Sequence, residues 1–362
     1  MEHKVEENYK ISGFFVFFLI HASQVGIGVL TFQTLIFSHT KNDAWISLLL
    51  AGISLHIIIW MIYKMLSKPT RDVIDLHCTI FGKHAGNFIS LLLVFYFLIF
   101  SLAVFRGYIE VIQVWMFPTI NTWSIALVFL LIIYYIVTGG FRVITGFCFF
   151  AVVSSSFLSV LLYFNAKHGY VQNLLPILNH PVGEIVLSSK FAIGVLFIGF
   201  ETLLIYFPFL HSTGSSAKWA HSALVFTNIK YLALTVVTLM YFSQGLLEHT
   251  YWPVLVMIKA LEFPLFSRFE FIFLSVWLII VLPAIFLSLW SCTRIVKRVT
   301  GLKPTLSLPF IVTLMFFSTL LLDDRMKIEK FGRIVAELGI YFVFGYIPLL
   351  FVLFYLKSFR SR

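Results

Sequence analysis

The chain reads as an all-α polytopic membrane protein of ten transmembrane helices in two halves of five. Three observations carry that reading. Of its 362 residues 60% are hydrophobic, only 12% are charged, 42 are phenylalanine, and the mean hydropathy is +0.97. A soluble domain carries about twice that charged fraction. The apolar residues gather into ten stretches, long enough for helices that need about 20 residues to cross a bilayer, without the short alternation of outer-membrane strands. Finally, the first and sixth stretches are interrupted by glycine, at Gln24-Val25-Gly26-Ile27-Gly28 and Phe197-Ile198-Gly199-Phe200-Glu201. These are matching positions in the two halves.

The stretches run roughly over 11–37, 44–66, 88–116, 122–138, 142–164, 187–210, 219–243, 269–297, 306–322 and 334–356. Proline and polar clusters separate them, at Pro69, Pro118, Asn165-Ala166-Lys167, 211–218, Pro304 and Asp323-Asp324-Arg325. All 362 residues form one integral membrane domain, with a first repeat over about 11–164 and a second over about 187–356. Connections of about 165–186 and 244–268 lie between spans. The second, with Tyr251-Trp252-Pro253, reads as an interfacial segment anchored by Trp252 or as a lid or docking surface over the outer vestibule.

Orientation follows from the basic residues. One side collects Lys4, Lys10, Lys64, Lys68, Arg71, Lys83, Arg142, Lys218, Arg294, Lys297, Arg298, Lys303, Lys357, Arg360 and Arg362; the other collects Lys41, Lys167, Lys190, Lys259, Arg268, Arg325, Lys327, Lys330 and Arg333. The richer side faces the cytoplasm, which places both termini there. The same rule accounts for the net charge of +10 without nucleic acid, since no soluble basic domain accompanies it. Residues 1–10 are polar, with three acids and no cleavage pattern after the first stretch, so no removable signal peptide is expected.

A broken helix in lipid leaves backbone groups free, which is tolerable only beside protein or a water-filled cavity. Paired breaks in two halves therefore point to a small-ligand site at mid-membrane. The other polar residues inside the stretches each need a reason. Arg106 and Glu110 lie four apart on one helix face. They read as an ion pair that fixes helix rotation or as a polar gate at the cavity. Glu201 follows the second break and could cap backbone amides, bind a cation or meet a ligand amine. Lys230 sits mid-span, and Glu201 is its candidate partner by topology. His21 and His56 read as hydrogen-bonded packing residues, Glu337 as part of the outer interface, and the phenylalanines as lipid-facing bulk.

Enzyme signatures are absent: there is no P-loop, H-E-x-x-H, G-x-S-x-G or G-x-G-x-x-G. Cys78, Cys148 and Cys292 are widely spaced and imply neither a disulfide framework nor a metal site. No catalytic residue and no cofactor is expected.

Several segments together resemble the B subunit of bacterial spore germinant receptors, a branch of the amino acid–polyamine–organocation transporter superfamily. They are Gly26-Ile27-Gly28-Val29-Leu30-Thr31, Arg106-Gly107-Tyr108-Ile109-Glu110, Asn173-Leu174-Leu175-Pro176-Ile177-Leu178 and Gly199-Phe200-Glu201-Thr202-Leu203-Leu204 running on to Pro208. Trp252-Pro253, Phe263 with Arg268-Phe269-Glu270 leading into Trp277, and Leu321-Leu322-Asp323-Asp324 complete the pattern. Order and spacing over nearly the whole chain carry the resemblance.

It implies a 5+5 inverted-repeat, LeuT-like fold in the spore inner membrane, working beside an A subunit and a lipoprotein C subunit. The family senses small nutrients (amino acids, sugars or nucleosides) and starts germination. Mapped here, the implied germinant pocket comprises Gln24, Gly26, Ile27 and Gly28 opposite Ile198, Gly199 and Glu201. Phe100, Ser101 and Val104 join from the third stretch, and Pro283, Ala284 and Ser288 from the eighth. Where some amino acid-sensing members carry hydroxyl side chains, this chain has Pro283-Ala284, which leaves the ligand open. The alternative within the same resemblance is a secondary amino acid transporter working by alternating access.

Overall fold

A computed structural model describes residues 5–67, 70–261 and 268–360. Lys4, Lys68, Pro69, Phe263 and Arg362, used in reading the sequence, lie outside the described residues. Among the described residues every regular element is a helix. In order the helices are α1 (Val16–Gln24), α2 (Phe32–Thr40), α3 (Ala44–Leu66), α4 (Val73–Phe81), α5 (Lys83–Trp115), α6 (Thr122–Thr138), α7 (Phe141–Ser159), α8 (Leu161–Ala166) and α9 (Val182–Ala192). They continue with α10 (Leu203–Tyr206), α11 (Thr213–Tyr241), α12 (Gln244–Glu248), α13 (Pro253–Lys259), α14 (Phe269–Thr300), α15 (Pro304–Leu321), α16 (Arg325–Tyr341) and α17 (Ile347–Arg360).

All ten apolar stretches are helical. By length and composition, seven helical runs among the described residues can cross a membrane, and an eighth is a pair bent by 62° between Val182–Phe197 and Phe200–Phe209. Two further apolar helices, Gly13–Gln24 and Thr122–Thr138, are shorter. The first is short because the chain breaks at its end; past the break, α2 turns through Lys41–Asp43 into α3.

Local chemistry sets several ends. The Asp72 carboxylate accepts from the Asp75 amide at 3.1 Å to start α4, and Asp324 accepts from the Lys327 amide at 2.9 Å to start α16. Pro304 takes the first position of α15, where its missing N–H costs nothing. Gly301, at φ +79°, stops α14 in the left-handed conformation.

Helix α14 is the axis of the bundle. Every residue from 280 to 293 is buried, and α14 packs on α1, α5 and α7. A helix apolar all round belongs in an interior, and Pro283 is tolerated there because its neighbours enclose it.

The expectation that phenylalanine is lipid-facing bulk needs correction. Phe88, Phe95 and Phe157 do point outward, but Phe97, Phe105, Phe197, Phe200 and Phe286 are among the largest fully buried side chains. The reason is volume: broken helices leave irregular interior space that flat rings fill to native density.

Polar ties hold both ends of the bundle. Amides of Leu178, Asn179 and His180 donate to the Asp43 carboxylate, fastening the connection after α8 to the turn before α3. At the end bearing residues 5–11, Arg298 forks onto Asp72 and Asp75, both at 2.6 Å.

Candidate ligand site at the two broken helices

The first break begins where α1 stops at Gln24. Val25 and Gly26 are extended, and Ile27–Leu30 resumes as a 3-10 turn before α2. The second begins with a π turn over Ile193–Phe197. Ile198 is extended, Gly199 has φ +111°, and Phe200–Thr202 is a 3-10 turn leading into α10.

The two breaks touch. A Cβ on Gly28 would collide with the Val195 carbonyl, and one on Gly199 would collide with the Ser23 carbonyl and the Phe100 ring. Glycine is required at both places for close backbone approach, and at Gly199 also for its positive φ.

Side chains then take up the backbone groups the breaks release. The Gln24 amide donates to the Phe197 carbonyl at 3.1 Å, and the Tyr231 hydroxyl donates to the Gln24 carbonyl at 3.0 Å. The Thr202 hydroxyl donates to the Gly199 carbonyl at 3.0 Å. Glu201 is fully buried; it accepts the Gly199 amide on one oxygen and the Tyr96 hydroxyl, at 3.2 Å, on the other. Of the three roles the sequence left open for Glu201, this geometry is that of a backbone cap.

Beside this junction lies a cavity of about 460 Å³. Of the residues named from sequence, Gln24, Gly26, Ile27, Gly28, Phe100, Val104, Ile198 and Ala284 line it, together with Glu110. Ser101, Gly199, Glu201, Pro283 and Ser288 stand behind the wall. Ser101 and Ser288 turn their hydroxyls back onto their own helices, donating to the carbonyls of Leu98 and Ala284, both at 2.8 Å. The physical reason is helix rotation. Neighbouring residues point about 100° apart, so Phe100 and Ala284 can face the space while Ser101 and Pro283 face away.

Two pairings expected from sequence are corrected. Arg106 and Glu110 form no ion pair. Arg106 Nε instead donates to the Leu322 carbonyl at 2.7 Å, closing the end of α15, and Glu110 has Arg325 at 3.8 Å. A backbone carbonyl at a helix end is a fixed acceptor that requires no second side chain to be ordered, which favours it for Arg106. Lys230 does not meet Glu201; its ammonium donates to Ser155 at 2.8 Å and lies 5.3 Å from the Phe226 ring centroid. It sits on the α7 side of α11, away from the break. His21 bonds Thr227 at 2.7 Å and His56 bonds His221 at 2.8 Å, both as packing contacts between helices.

One wall went unseen in the sequence. Gly332, Val335, Ala336 and Ile340 of α16 line the cavity, which runs from the breaks toward Glu329, Arg333 and Glu337. Gly332, Ala336 and Gly339 repeat at helical spacing, a small-residue face of the kind that allows close helix approach. That signal was available. Glu337 belongs to this wall and to its outward rim. There Arg325 stacks on Tyr251 at 4.1 Å and Trp252 at 5.2 Å, and both rings line the cavity.

Comparison with known proteins bears on what such a cavity serves. The family model for spore germination protein matches residues 10–328. Spore germination protein GerQB of Bacillus cereus is 38% identical over 345 residues, covering 95% of this chain and 96% of its own. The chain belongs to the spore germination protein family.

More distant members include spore germination protein YndE of Bacillus subtilis, 24% identical with 92% and 93% coverage, and spore germination protein A2 of the same species, 22% identical with 95% and 94% coverage. Among solved structures, a Na⁺-coupled sialic acid symporter in a substrate-bound outward-open state superposes with TM-score 0.63. It is 12% identical, with 97% of this chain and 78% of the symporter covered. At that identity the likeness shows the fold, and this germination protein shares it with a transporter.

Proposed function

We infer that this chain is the membrane subunit of a spore germinant receptor that binds a small nutrient in the cavity between its two broken helices. The observation that carries the reading is the junction itself: in a germination-family chain, two glycine breaks meet at a mainly apolar cavity of about 460 Å³. That volume suits a molecule of amino acid, sugar or nucleoside size, within the usual range of ligand pockets. The short 3-10 turn at Ile27–Leu30 supplies leading amides without intrahelical acceptors, and Gln24 adds a side-chain carbonyl.

In this reading ten helices cross the spore inner membrane as two inverted repeats, with both termini cytoplasmic. A nutrient bound between the repeats favours one of their arrangements over another. An A subunit and a lipoprotein C subunit read that shift and trigger germination.

A screen of nutrient mixtures on spores carrying this subunit in an otherwise receptor-free background tests the reading. A nutrient that triggers germination of these spores and fails with Ala284→Phe supports it; no response to any mixture, with all subunits present at normal levels, removes it. The shared fold with a sodium-coupled symporter favours a second reading, an amino acid transporter working by alternating access. Gradient-driven accumulation of labelled amino acid in proteoliposomes would establish that one.

A further inference from the structure

A second cavity lies at the opposite end of the molecule, where residues 5–9 cross the ends of α6, α14 and α15. It measures about 700 Å³. Arg142, Arg294 and Lys297 line it, against the single carboxylate of Glu6. None of the three cations is engaged in an ion pair among the described residues. Asp72 and Asp75, two acids whose charge acts on Arg294, are already held by Arg298. Arg142 spends one N–H on the Asn8 carbonyl at 2.8 Å. Arg294 lies 5.1 Å from the Phe209 ring centroid, and its Nε is buried without a hydrogen-bond partner. A buried guanidinium N–H left unmade is costly in a native structure.

The cleft has a fourth positive feature. Pro304 and Thr305, the first two residues of α15, line it. Pro304 has no N–H, and the Leu306 and Ser307 amides already donate to the Lys303 carbonyl, so the start of this 18-residue helix offers the Thr305 amide and the positive end of the helix dipole. No side chain caps this start. A helix N-terminus, two arginines and a lysine therefore converge on one space, and each element on its own favours a phosphate oxygen.

We propose that this cleft is a binding site for a phosphate-bearing anion, the phosphodiester headgroup of an anionic lipid or a soluble phosphate. The Arg294 guanidinium and the Thr305 amide take the phosphate oxygens, while Lys297 and Arg142 neutralise it from the rim. Occupancy bears on the second broken helix. Phe209 at its end is in the cleft wall, and its carbonyl accepts the Ile11 amide at 2.8 Å, so the anion sits where residues 5–11 are strapped to that helix. The site is independent of the nutrient cavity and does not rest on the reading given above for it.

The test uses the purified full chain in nanodiscs of phosphatidylcholine with or without phosphatidylglycerol, with retained lipid counted by native mass spectrometry. Removing one cation that contacts the headgroup weakens its binding about fivefold. Lys297→Gln should therefore lower phosphatidylglycerol retention about fivefold, and Arg294→Gln with Lys297→Gln roughly 25-fold. Lys297 is exposed, so the single variant remains informative if the double variant misfolds. Lys83→Gln, an exposed cation beyond the cleft, is the control and should change nothing.

Retention that survives millimolar inorganic phosphate identifies a lipid headgroup. Inorganic phosphate that raises the melting temperature in pure phosphatidylcholine, and does so less in Lys297→Gln, identifies a soluble anion. The proposal is overturned if wild type and Lys297→Gln behave alike in both arms, or if Lys83→Gln loses as much as Lys297→Gln.

Discussion

The Gln24 side-chain amide donates to the Phe197 carbonyl at 3.1 Å, so the two broken helices are bonded to each other across the bundle. The Tyr231 hydroxyl reaches the same junction from α11, donating to the Gln24 carbonyl and, at 3.4 Å, approaching the Leu196 carbonyl. The junction beside the cavity is thereby held by a few directional bonds.

Removing one of these bonds should loosen the junction. Gln24→Leu leaves the Phe197 carbonyl unpaired in an apolar setting, a cost of about 1–3 kcal/mol. Gln24→Leu and Tyr231→Phe should be coupled by about 0.5–3 kcal/mol in a double-mutant cycle on thermal unfolding in detergent. Strict additivity would mean that the two side chains support separate structures.

The glycines of the breaks should differ sharply in tolerance. Gly28→Ala drives a methyl group into the Val195 carbonyl, for about 1–3 kcal/mol of overpacking. Gly199→Ala adds the left-handed penalty of roughly 1–2 kcal/mol to a clash with Ser23. Gly26→Ala meets no atom within 4 Å and needs no positive φ, so its melting temperature should stay near wild type. Equal losses at all three would contradict the close-approach argument.

Glu201 separates capping from ligand contact. Glu201→Gln keeps an oxygen for the Gly199 amide and should retain both stability and nutrient response. Glu201→Leu strands that amide and the Tyr96 hydroxyl, and should destabilise the chain by about 1–3 kcal/mol. A Glu201→Gln subunit present at normal level yet blind to its nutrient would assign the carboxylate a direct role instead.

Filling the cavity and removing the remote cation should have opposite outcomes. Ala284→Phe projects a ring into the space beside Ile27 and Val104 and should abolish the nutrient response at normal subunit level. Lys230→Met loses its bond to Ser155 but keeps the stem that packs there, and the response should persist. Germination rates of isogenic spores, with subunit abundance by immunoblot, measure both.

The sequence located the breaks because glycine in a long apolar stretch is a local signal. It could not orient the side chains around them. Ser101 and Ser288 were attractive as polar groups near a site, but their hydroxyls bond back to their own helices. Arg106 and Glu110 are a sound pair by spacing, yet the Leu322 carbonyl just past α15, more than two hundred residues away, satisfies Arg106 better. The α16 wall was missed although Gly332, Ala336 and Gly339 repeat at helical spacing, because the charges around Glu337 read as an interface.

What the residues alone determined was the kind of molecule: apolar helices in a bilayer, interrupted at Gly26–Gly28 and Gly199. Composition and local breakers suffice for that, since the cost of unpaired backbone in lipid acts at each position separately. Only the tertiary structure decided that Gly28 and Gly199 lie at backbone crossings, that Glu201 caps a break and that Lys230 looks elsewhere. Those outcomes depend on which partner reaches a group first across the bundle. That is set by helix rotation and packing among distant segments, which no local pattern encodes.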